Sequence, residues 1–175
     1  MEERFREKAV IVGAGGHANV IIDIIRSQGL YEIVGCLDNP ENTGMTINNV
    51  RIVGGDDMLG ELMKSGVCNA FVAIGSNQKR ARLAEIACDL GFRLINAISP
   101  NAYISASARL GRGVAVMPGA VINAGSKIMD NAIINTNASV DHDCIVGAGC
   151  HIGPGCALAG NVRVGEGSFL GTGTK

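Results

Sequence analysis

The chain has 175 residues, of which 47% are hydrophobic and 18% charged, and its formal net charge at pH 7 is −1. This composition is typical of a folded protein of one or two small domains. The near-neutral charge and the aromatic content of 3% offer neither the basic surface nor the stacking side chains that nucleic-acid binding requires. The composition therefore argues against a nucleic-acid partner.

The N-terminal residues are charged and lack the apolar core of a signal peptide, and no apolar run approaches the roughly 18 residues of a membrane span. These features predict a cytoplasmic protein without membrane contact. The six cysteines are expected to be reduced, because disulfide frameworks are typical of short secreted chains. Cys144, Cys150 and Cys156 recur every sixth residue, a spacing unlike that of paired zinc ligands. We therefore predict buried small residues here and no metal site.

Residues 1–97 alternate between apolar runs typical of strands and the apolar spacing of amphipathic helices. The predicted strands are 8–12, 32–37, 70–74 and 93–97, and the predicted helices are 19–28, 56–64 and 78–89. Strands that alternate with helices indicate parallel βαβ units. The sequence therefore predicts an α/β domain with a short parallel sheet over residues 1–97.

A glycine-rich loop follows the first predicted strand. Residues 13–18 read Gly-Ala-Gly-Gly-His-Ala, a G-x-G-x-x-[G/A] pattern that presents backbone N–H groups and a helix N-terminus to a phosphate. Asp38 ends the second predicted strand, where its carboxylate could bind a ribose or a base. Fewer than 100 residues accommodate one mononucleotide unit, so a mononucleotide or nucleotide sugar is favoured over a dinucleotide.

Other interpretations of this loop stay open. The glycines could serve only a tight turn, and Asp38 could cap a loop with Asn39 and Pro40. His17 falls in the first turn of the predicted helix, where it could approach a phosphate or be purely structural. A small NAD-binding regulator would depend on the glycine loop alone.

The pattern changes at Ile98, after which an aliphatic residue recurs at every sixth position. The thirteen aliphatic positions are Ile98, Ile104, Leu110, Val116, Ile122, Ile128, Ile134, Val140, Val146, Ile152, Leu158, Val164 and Leu170. Mostly small residues stand two positions before them, and residues two apart in a strand face the same side. Three such units close one coil of about 18 residues, which is the hexapeptide β-helix repeat. A helix is disfavoured, because six is not a multiple of 3.6 and the many glycines would destabilise it.

Residues 139–144 read Ser-Val-Asp-His-Asp-Cys, and His142 stands in this stretch two residues after the inward Val140. This register places His142 at a corner of the coil, pointing outward. Acyl transfer from a thioester needs a base with a pKa near neutrality, which suits histidine, and Asp143 or Asp141 could orient the ring. The alternative is a solvated corner residue. Direct attack on the thioester needs no cysteine or serine nucleophile.

His151 stands between the inward Cys150 and Ile152, so it is predicted to point out from a flat face of the β-helix. One side of the coil separates it from His142. In a threefold assembly, a corner of one subunit could meet a face of the next and bring the two histidines to one cleft. The alternative is a surface polar residue on a strand.

The sequence resembles the bacterial sugar acyltransferases that join an N-terminal Rossmann-like domain to a left-handed β-helix. This family includes sialic-acid O-acetyltransferases and N-acetyltransferases of nucleotide-linked 4-amino-sugars. The resemblance covers the whole chain, and the matching segments are residues 12–17, 37–39, 73–77, the hexapeptide array and residues 141–143. It implies a left-handed β-helix over residues 98–175 and a homotrimer with acetyl-CoA between neighbouring β-helices.

The resemblance also implies roles for individual residues. Binding of the uridine-nucleotide part of the sugar is implied for Gly13, Ala14, Gly15, Asp38, Asn39 and Gly75. The catalytic base would be His142, supported by Asp143 where relatives commonly have glutamate. Contacts with acetyl-CoA are implied for His151, Gly160 and Thr172.

The repeat is still running at Lys175, whereas relatives continue for another coil or two, so the β-helix is expected to be C-terminally incomplete. The predicted function is acetyl-CoA-dependent N-acetylation of a UDP-linked 4-amino-sugar, with no metal. The alternatives are O-acetylation of a sialic acid and a non-catalytic nucleotide-binding scaffold.

Overall fold

The computed structural model describes residues 6–175, and the first part of this range forms a six-stranded sheet with helices on both faces. The strands are β1 (Glu7–Val12), β2 (Tyr31–Leu37), β3 (Thr46–Ile47), β4 (Val50–Gly54), β5 (Asn69–Val72) and β6 (Arg93–Leu94). The helices are α1 (Gly16–Gln28), α2 (Leu59–Lys64) and α3 (Asn77–Asp89). The strand order is β3-β4-β2-β1-β5-β6, and every pair is parallel except β3 with β4.

Apolar residues on both sides of β1 explain its central place in the sheet. Ala9 and Ile11 face a core that includes α1, whereas Val10 and Val12 face a core that includes α2 and α3. Parallel strands buried on both faces read as continuous apolar runs, as this one does. The strand order reverses between β1 and β5, and the loops that follow these two strands therefore meet at a crevice.

The observed elements differ from the predicted ones at several places; for example, the predicted helix 56–64 is α-helical only from Leu59, and the predicted strand 70–74 lies at Asn69–Val72. Helix α1 begins at Gly16, three residues before its predicted start. The hairpin of β3 and β4 was not predicted; Asn48 and Asn49 at its tip have φ values of 46° and 57°, which asparagine tolerates better than most residues. The predicted strand 93–97 divides into β6 and the first short strand of the β-helix.

From Ala97 onward the chain winds through thirteen two-residue strands that form three parallel sheets. The first face of the resulting prism consists of β7 (Ala97–Ile98), β10 (Ala115–Val116), β13 (Ile133–Ile134), β16 (His151–Ile152) and β19 (Phe169–Leu170). The second face consists of β8 (Tyr103–Ile104), β11 (Val121–Ile122), β14 (Ser139–Val140) and β17 (Ala157–Leu158). The third face consists of β9 (Arg109–Leu110), β12 (Lys127–Ile128), β15 (Ile145–Val146) and β18 (Arg163–Val164).

The predicted inward columns fill the axis of the prism. All thirteen sixth-position aliphatics belong to one apolar cluster, in which the small residues of the preceding column also lie. Cys144, Cys150 and Cys156 are buried there, and their thiols donate to the backbone carbonyls of the turns ahead of them. Each strand pairs with the strand 18 residues later, as Ile133 does with His151, so one coil is three hexapeptides long.

The N-terminal domain packs on the first face of the β-helix. Ile21 and Ile25 of α1 share a core with Ala97, Ala115 and Ile133, the outward residues of β7, β10 and β13. This packing leaves the second and third faces, and the corner between them, away from the N-terminal domain. Strand β7 spans the division predicted between residues 97 and 98.

Candidate active site

The loop after β1 lies at the crevice between β1 and β5. Gly13 has a φ of 111°, and its N–H donates to the carbonyl of Leu37 at 2.7 Å. A Cβ at this position would lie 2.8 Å from the carbonyl oxygen of Ala73, so only glycine fits without displacing the backbone. No neighbouring atom lies within 4 Å of a Cβ built at Gly15, which precedes α1. The start of α1 is therefore open to a ligand.

A pocket of about 300 Å³ adjoins this loop. Among its lining residues are Gly13, Asp38 and Asn39, which the sequence predicted as nucleotide-binding residues. Ala14, Gly15 and Gly75 lie on the adjoining loops but do not line this pocket.

Three further side chains at the pocket were not predicted from the sequence: Asp56, Asp57 and Lys79. Burial raises the pKa of Asp56, and Lys79 opposes this rise. Together with Asp38, the pocket contains three carboxyl groups, which accept hydrogen bonds from ligand N–H and O–H groups when ionised.

His142 occupies the corner between the second and third faces of the β-helix, and its side chain is 55% exposed. The backbone N–H of His142 donates to Asp141 at 2.8 Å, and its Nδ1 lies 2.9 Å from Oδ2 of Asp143. This contact assigns the proton to Nδ1 and leaves Nε2 free to accept one. The hydrogen bond to Asp143 and the nearby charge of Asp141 raise the pKa of His142. The side chain of Asp143 is therefore long enough to contact the imidazole of His142, although relatives commonly have the longer glutamate at this position.

Two residues of the neighbouring coils hold this corner in place. Ser126 is fully buried inside the prism; its hydroxyl donates to the carbonyl of Asp141 at 2.6 Å and accepts from the N–H of Cys144 at 3.0 Å. Gly160 lies under the imidazole, because a Cβ there would be 2.5 Å from Nε2 of His142. In this chain Gly160 therefore provides the space that the ring needs. Thr172 lies exposed in the turn after β19.

His151 points outward from the first face, as the register predicted, but the N-terminal domain partly covers it. Its Nε2 lies 2.8 Å from Nδ2 of Asn135, and its ring meets that of Phe169 edge-on, with the ring centroids 5.1 Å apart. Its Nδ1 is buried without a hydrogen-bond partner among residues 6–175. Burial and the charge of Arg80 lower the pKa of His151. The ring is therefore neutral at pH 7.

His17 lies in the first turn of α1, and its Nε2 is buried without a hydrogen-bond partner in the described part of the chain. Burial, with smaller contributions from His151 and Arg80, lowers the pKa of His17 to about 4. A neutral ring brings no positive charge to a phosphate. Sequence reasoning missed Arg80 altogether, although Ser76 marks the N-cap of the helix that carries it.

The two predicted histidines lie on different sides of a single chain. His151 is on the first face of the prism, which the N-terminal domain covers, whereas His142 is at the corner between the other two faces. In a three-sided prism, the corner between two faces is opposite the third. The N-terminal domain therefore packs on the side of the prism opposite His142 of the same chain.

Comparisons with known proteins bear on both parts of the chain. The profile of the PglD N-terminal domain matches residues 8–87, and that of the bacterial transferase hexapeptide (six repeats) matches residues 125–160 and 143–175. An uncharacterized protein of Acanthamoeba polyphaga mimivirus is 33% identical over 103 residues, which are 59% of this chain and 20% of the viral protein.

Several solved structures are similar over nearly the whole chain, among them the following two. A perosamine N-acetyltransferase from Caulobacter crescentus, with one histidine replaced by asparagine and in complex with CoA and GDP-perosamine, is 50% identical, with a TM-score of 0.89. The match covers 94% of this chain and 77% of that one. The acetyltransferase domain of PglB from Neisseria gonorrhoeae, in complex with acetyl coenzyme A, is 40% identical, with a TM-score of 0.90 and coverage of 97% and 81%.

Proposed function

The chain belongs to the bacterial sugar acyltransferases that join a PglD-type N-terminal domain to a left-handed β-helix of hexapeptide repeats, and we propose that it acetylates a nucleotide-linked amino-sugar. In this proposal acetyl-CoA donates the acetyl group and the sugar amine accepts it. The observation that carries the proposal is His142, an exposed corner histidine with its Nδ1 bonded to a carboxylate and its Nε2 open. The relative with CoA and GDP-perosamine supports the choice of both substrates.

The proposed chemistry follows from the arrangement around His142. The amine attacks the thioester carbonyl, a tetrahedral intermediate forms, and Nε2 of His142 takes the proton that the nitrogen releases. Asp143 holds the ring by its Nδ1, which leaves Nε2 without a proton, and stabilises the protonated form of the ring. The intermediate then expels the CoA thiolate, which takes the proton back from His142 and so restores the base, and no covalent enzyme intermediate is needed.

For the nucleotide, the pocket at Gly13 and Asp38 is the proposed site. The sequence resemblance favoured uridine, and the 50% identical relative binds GDP-perosamine. The carboxyl groups of Asp38, Asp56 and Asp57 favour guanine, whose ring edge carries an N–H and an adjacent NH₂, whereas uracil carries one N–H. Titration calorimetry with GDP and UDP decides between them, and we expect tighter binding of GDP.

We further propose that the active site forms between copies of the chain. Because His142 lies across the prism from the face that bears the N-terminal domain, the acceptor bound to one copy reaches the histidine of a neighbour. A homotrimer brings each corner against an adjacent subunit and leaves a groove for acetyl-CoA, to which we assign His151, Gly160 and Thr172.

The helices among residues 6–175 are too short or too polar to span a membrane. A cytoplasmic site of action remains a prediction.

The test is an acetylation assay with thiol detection. We expect CoA release with acetyl-CoA and a GDP- or UDP-linked 4-amino-sugar, and a much slower reaction with free sialic acid. Faster reaction with sialic acid would instead indicate an O-acetyltransferase. Nucleotide binding without CoA release for any acceptor would indicate a non-catalytic scaffold and contradict the proposal.

A further inference from the structure

Arg80 is a buried cation at the junction of the two domains. It belongs to the first turns of α3, is 1% exposed, and lies beyond salt-bridge distance of every carboxylate among residues 6–175. Burial lowers the pKa of Arg80 to about 10, so the guanidinium is still charged at pH 7. A buried charge without a counter-ion is costly unless hydrogen bonds satisfy every polar atom. The hydrogen-bond partners of the Arg80 guanidinium therefore indicate which parts of the structure this residue holds together.

Within the N-terminal domain, Arg80 holds the loop that follows β5. Its Nη1 donates to the carbonyls of Ile74 at 2.9 Å and Gly75 at 3.1 Å, and its Nη2 donates to the side chain of Asn77 at 2.8 Å. Ile74 lines the pocket that we assign to the nucleotide and would contact a Cβ at Gly13. One side of the guanidinium thus fixes a wall of the nucleotide site.

The other donors of Arg80 go to stacked coils of the β-helix. Nε donates to the carbonyl of Asn131 at 2.9 Å, and Nη2 donates to that of Gly149 at 2.8 Å, with Cys150 at 3.4 Å. Cys150 directly precedes His151. Asn77 adds bonds from its Nδ2 to the carbonyls of Gly167 and Ser168 at 2.9 and 3.0 Å, on the next coil.

The planar fork of arginine explains why this residue type serves here. Its five N–H groups diverge in fixed directions and reach carbonyls on both domains at once, which a single ammonium group cannot reproduce. We propose that Arg80 is a positioning residue, which holds the segment of Ile74 and Gly75 beside the nucleotide site in register with the β-helix coils and so sets where the sugar amine meets acetyl-CoA. This inference rests on the proposed function.

The positioning role predicts a selective defect. A displacement of about 1 Å can cost about 10²-fold in rate when a tether delivers the reacting group. An acceptor that carries its nucleotide depends on this register, whereas the methyl glycoside of the same 4-amino-sugar has no nucleotide to anchor it. Loss of Arg80 therefore affects the first acceptor far more than the second.

The experiment compares Arg80→Lys with wild type on both acceptors and uses Arg82→Lys, an exposed arginine of the same helix, as the matched control. We expect kcat for the nucleotide-linked sugar to fall about 10²-fold in Arg80→Lys, with KM for acetyl-CoA and turnover of the methyl glycoside within about twofold of wild type. Arg82→Lys should match wild type on both acceptors. Rates are expressed per folded protein, determined by circular dichroism.

If Arg80→Lys does not fold, Asn77→Ala tests the same junction, because it keeps Arg80 and removes the bonds to Gly167 and Ser168. We then expect the same selective loss, at about tenfold. An equal loss on both acceptors, or no loss on either, would overturn the positioning role while the wild-type activity stands. A wild-type protein that acetylates neither acceptor would contradict the proposed function, and the role of Arg80 with it.

Discussion

The hydrogen bond between Nδ1 of His142 and Asp143 leaves one ring nitrogen unprotonated, and in the proposed mechanism this nitrogen takes a proton from the acceptor amine. Replacement of His142 by alanine removes this base, and we expect kcat to fall about 10²- to 10⁴-fold. Because the ring does not hold the cofactor in the proposed mechanism, the dissociation constant of acetyl-CoA should stay nearly unchanged. Steady-state kinetics together with calorimetry separates the two effects, and turnover close to wild type would refute the assignment.

In the proposed mechanism, Asp143 influences the pH at which His142 can act as a base. The aspartate raises the pKa of His142, so the ring is protonated and inactive up to a higher pH than a free imidazole would be. In Asp143→Asn we expect the acid limb of kcat/KM to move to lower pH, with the maximal rate reduced about tenfold because the ring loses its orientation. Asparagine suits the backbone here, since Asp143 has a φ of 58° and Asn161 one of 62° at the equivalent corner. If the acid limb of kcat/KM stays at the same pH in Asp143→Asn, Asp143 does not set the pKa of His142 in the active enzyme.

Gly160 allows the imidazole to lie against the neighbouring coil. In Gly160→Ala the new Cβ would stand 2.5 Å from Nε2 of His142, so the ring must move away from its place at the corner. We expect kcat to fall at least about tenfold with little change in melting temperature. Gly165→Ala is the matched control, because its Cβ would meet only Ser168 Oγ at 3.8 Å. Equal rates in the two variants would show that the ring is not held in this way.

Among the secondary-structure elements, the short strands of the β-helix were the most predictable from the sequence. One aliphatic and one small residue per hexapeptide set the inward register, and the corner position of His142 follows from Val140 two residues earlier. The β3–β4 hairpin was missed because Asn48-Asn49 is a weaker turn pattern than Asn-Gly. The strand predicted over residues 93–97 was too long because Leu94, Ile95 and Ala97 give it an apolar character, although Leu94 and Ala97 belong to different sheets.

Candidate site residues were identifiable in the sequence where a local pattern marks them, as in the glycine loop and the Asp-His-Asp triplet, and their roles stay predictions. Arg80 was not identifiable in this way, because its partners are backbone carbonyls up to 70 residues away, which no sequence pattern identifies. His151 was predicted on the correct face from the alternation in its strand. Its burial could not be foreseen, because it depends on how the N-terminal domain docks on that face.

The whole molecule has its proposed nucleotide site on one side of the prism and its proposed base on another, which predicts complementation between inactive chains. His142→Ala lacks the base, and Asp38→Ala lacks a ligand of the nucleotide. When the two are unfolded together at equal amounts and refolded, the proposed trimers are mixed, and about one quarter of their shared sites combine an intact pocket with an intact histidine. We therefore expect about a quarter of the wild-type rate at low nucleotide-sugar concentration. Mixed trimers that remain inactive would place both groups of each site in one chain.

The stability of the whole fold should depend on the charge state of His17. Its pKa is about 4 in the folded protein and about 6.5 in an unfolded chain, so between these values the unfolded state binds more protons. The free energy of unfolding is therefore unaffected by this group above pH 6.5 and falls as the pH drops toward 4. From pH 7 to pH 4.5 the contribution of His17 amounts to a loss of roughly 2 to 3 kcal/mol.

Urea unfolding at the two pH values measures this loss, with His17→Gln as the variant that cannot titrate. We expect wild type to lose roughly 2 to 3 kcal/mol more on acidification than His17→Gln does. His151 is also buried with a lowered pKa and stays in both proteins, so its contribution cancels in the comparison. His142→Gln serves as the control, because that exposed ring has a raised pKa. Its removal therefore cannot reduce the free energy of unfolding that the protein loses on acidification. Parallel pH dependence in wild type and His17→Gln would mean that the first turn of α1 opens to water and lets His17 take up its proton without unfolding.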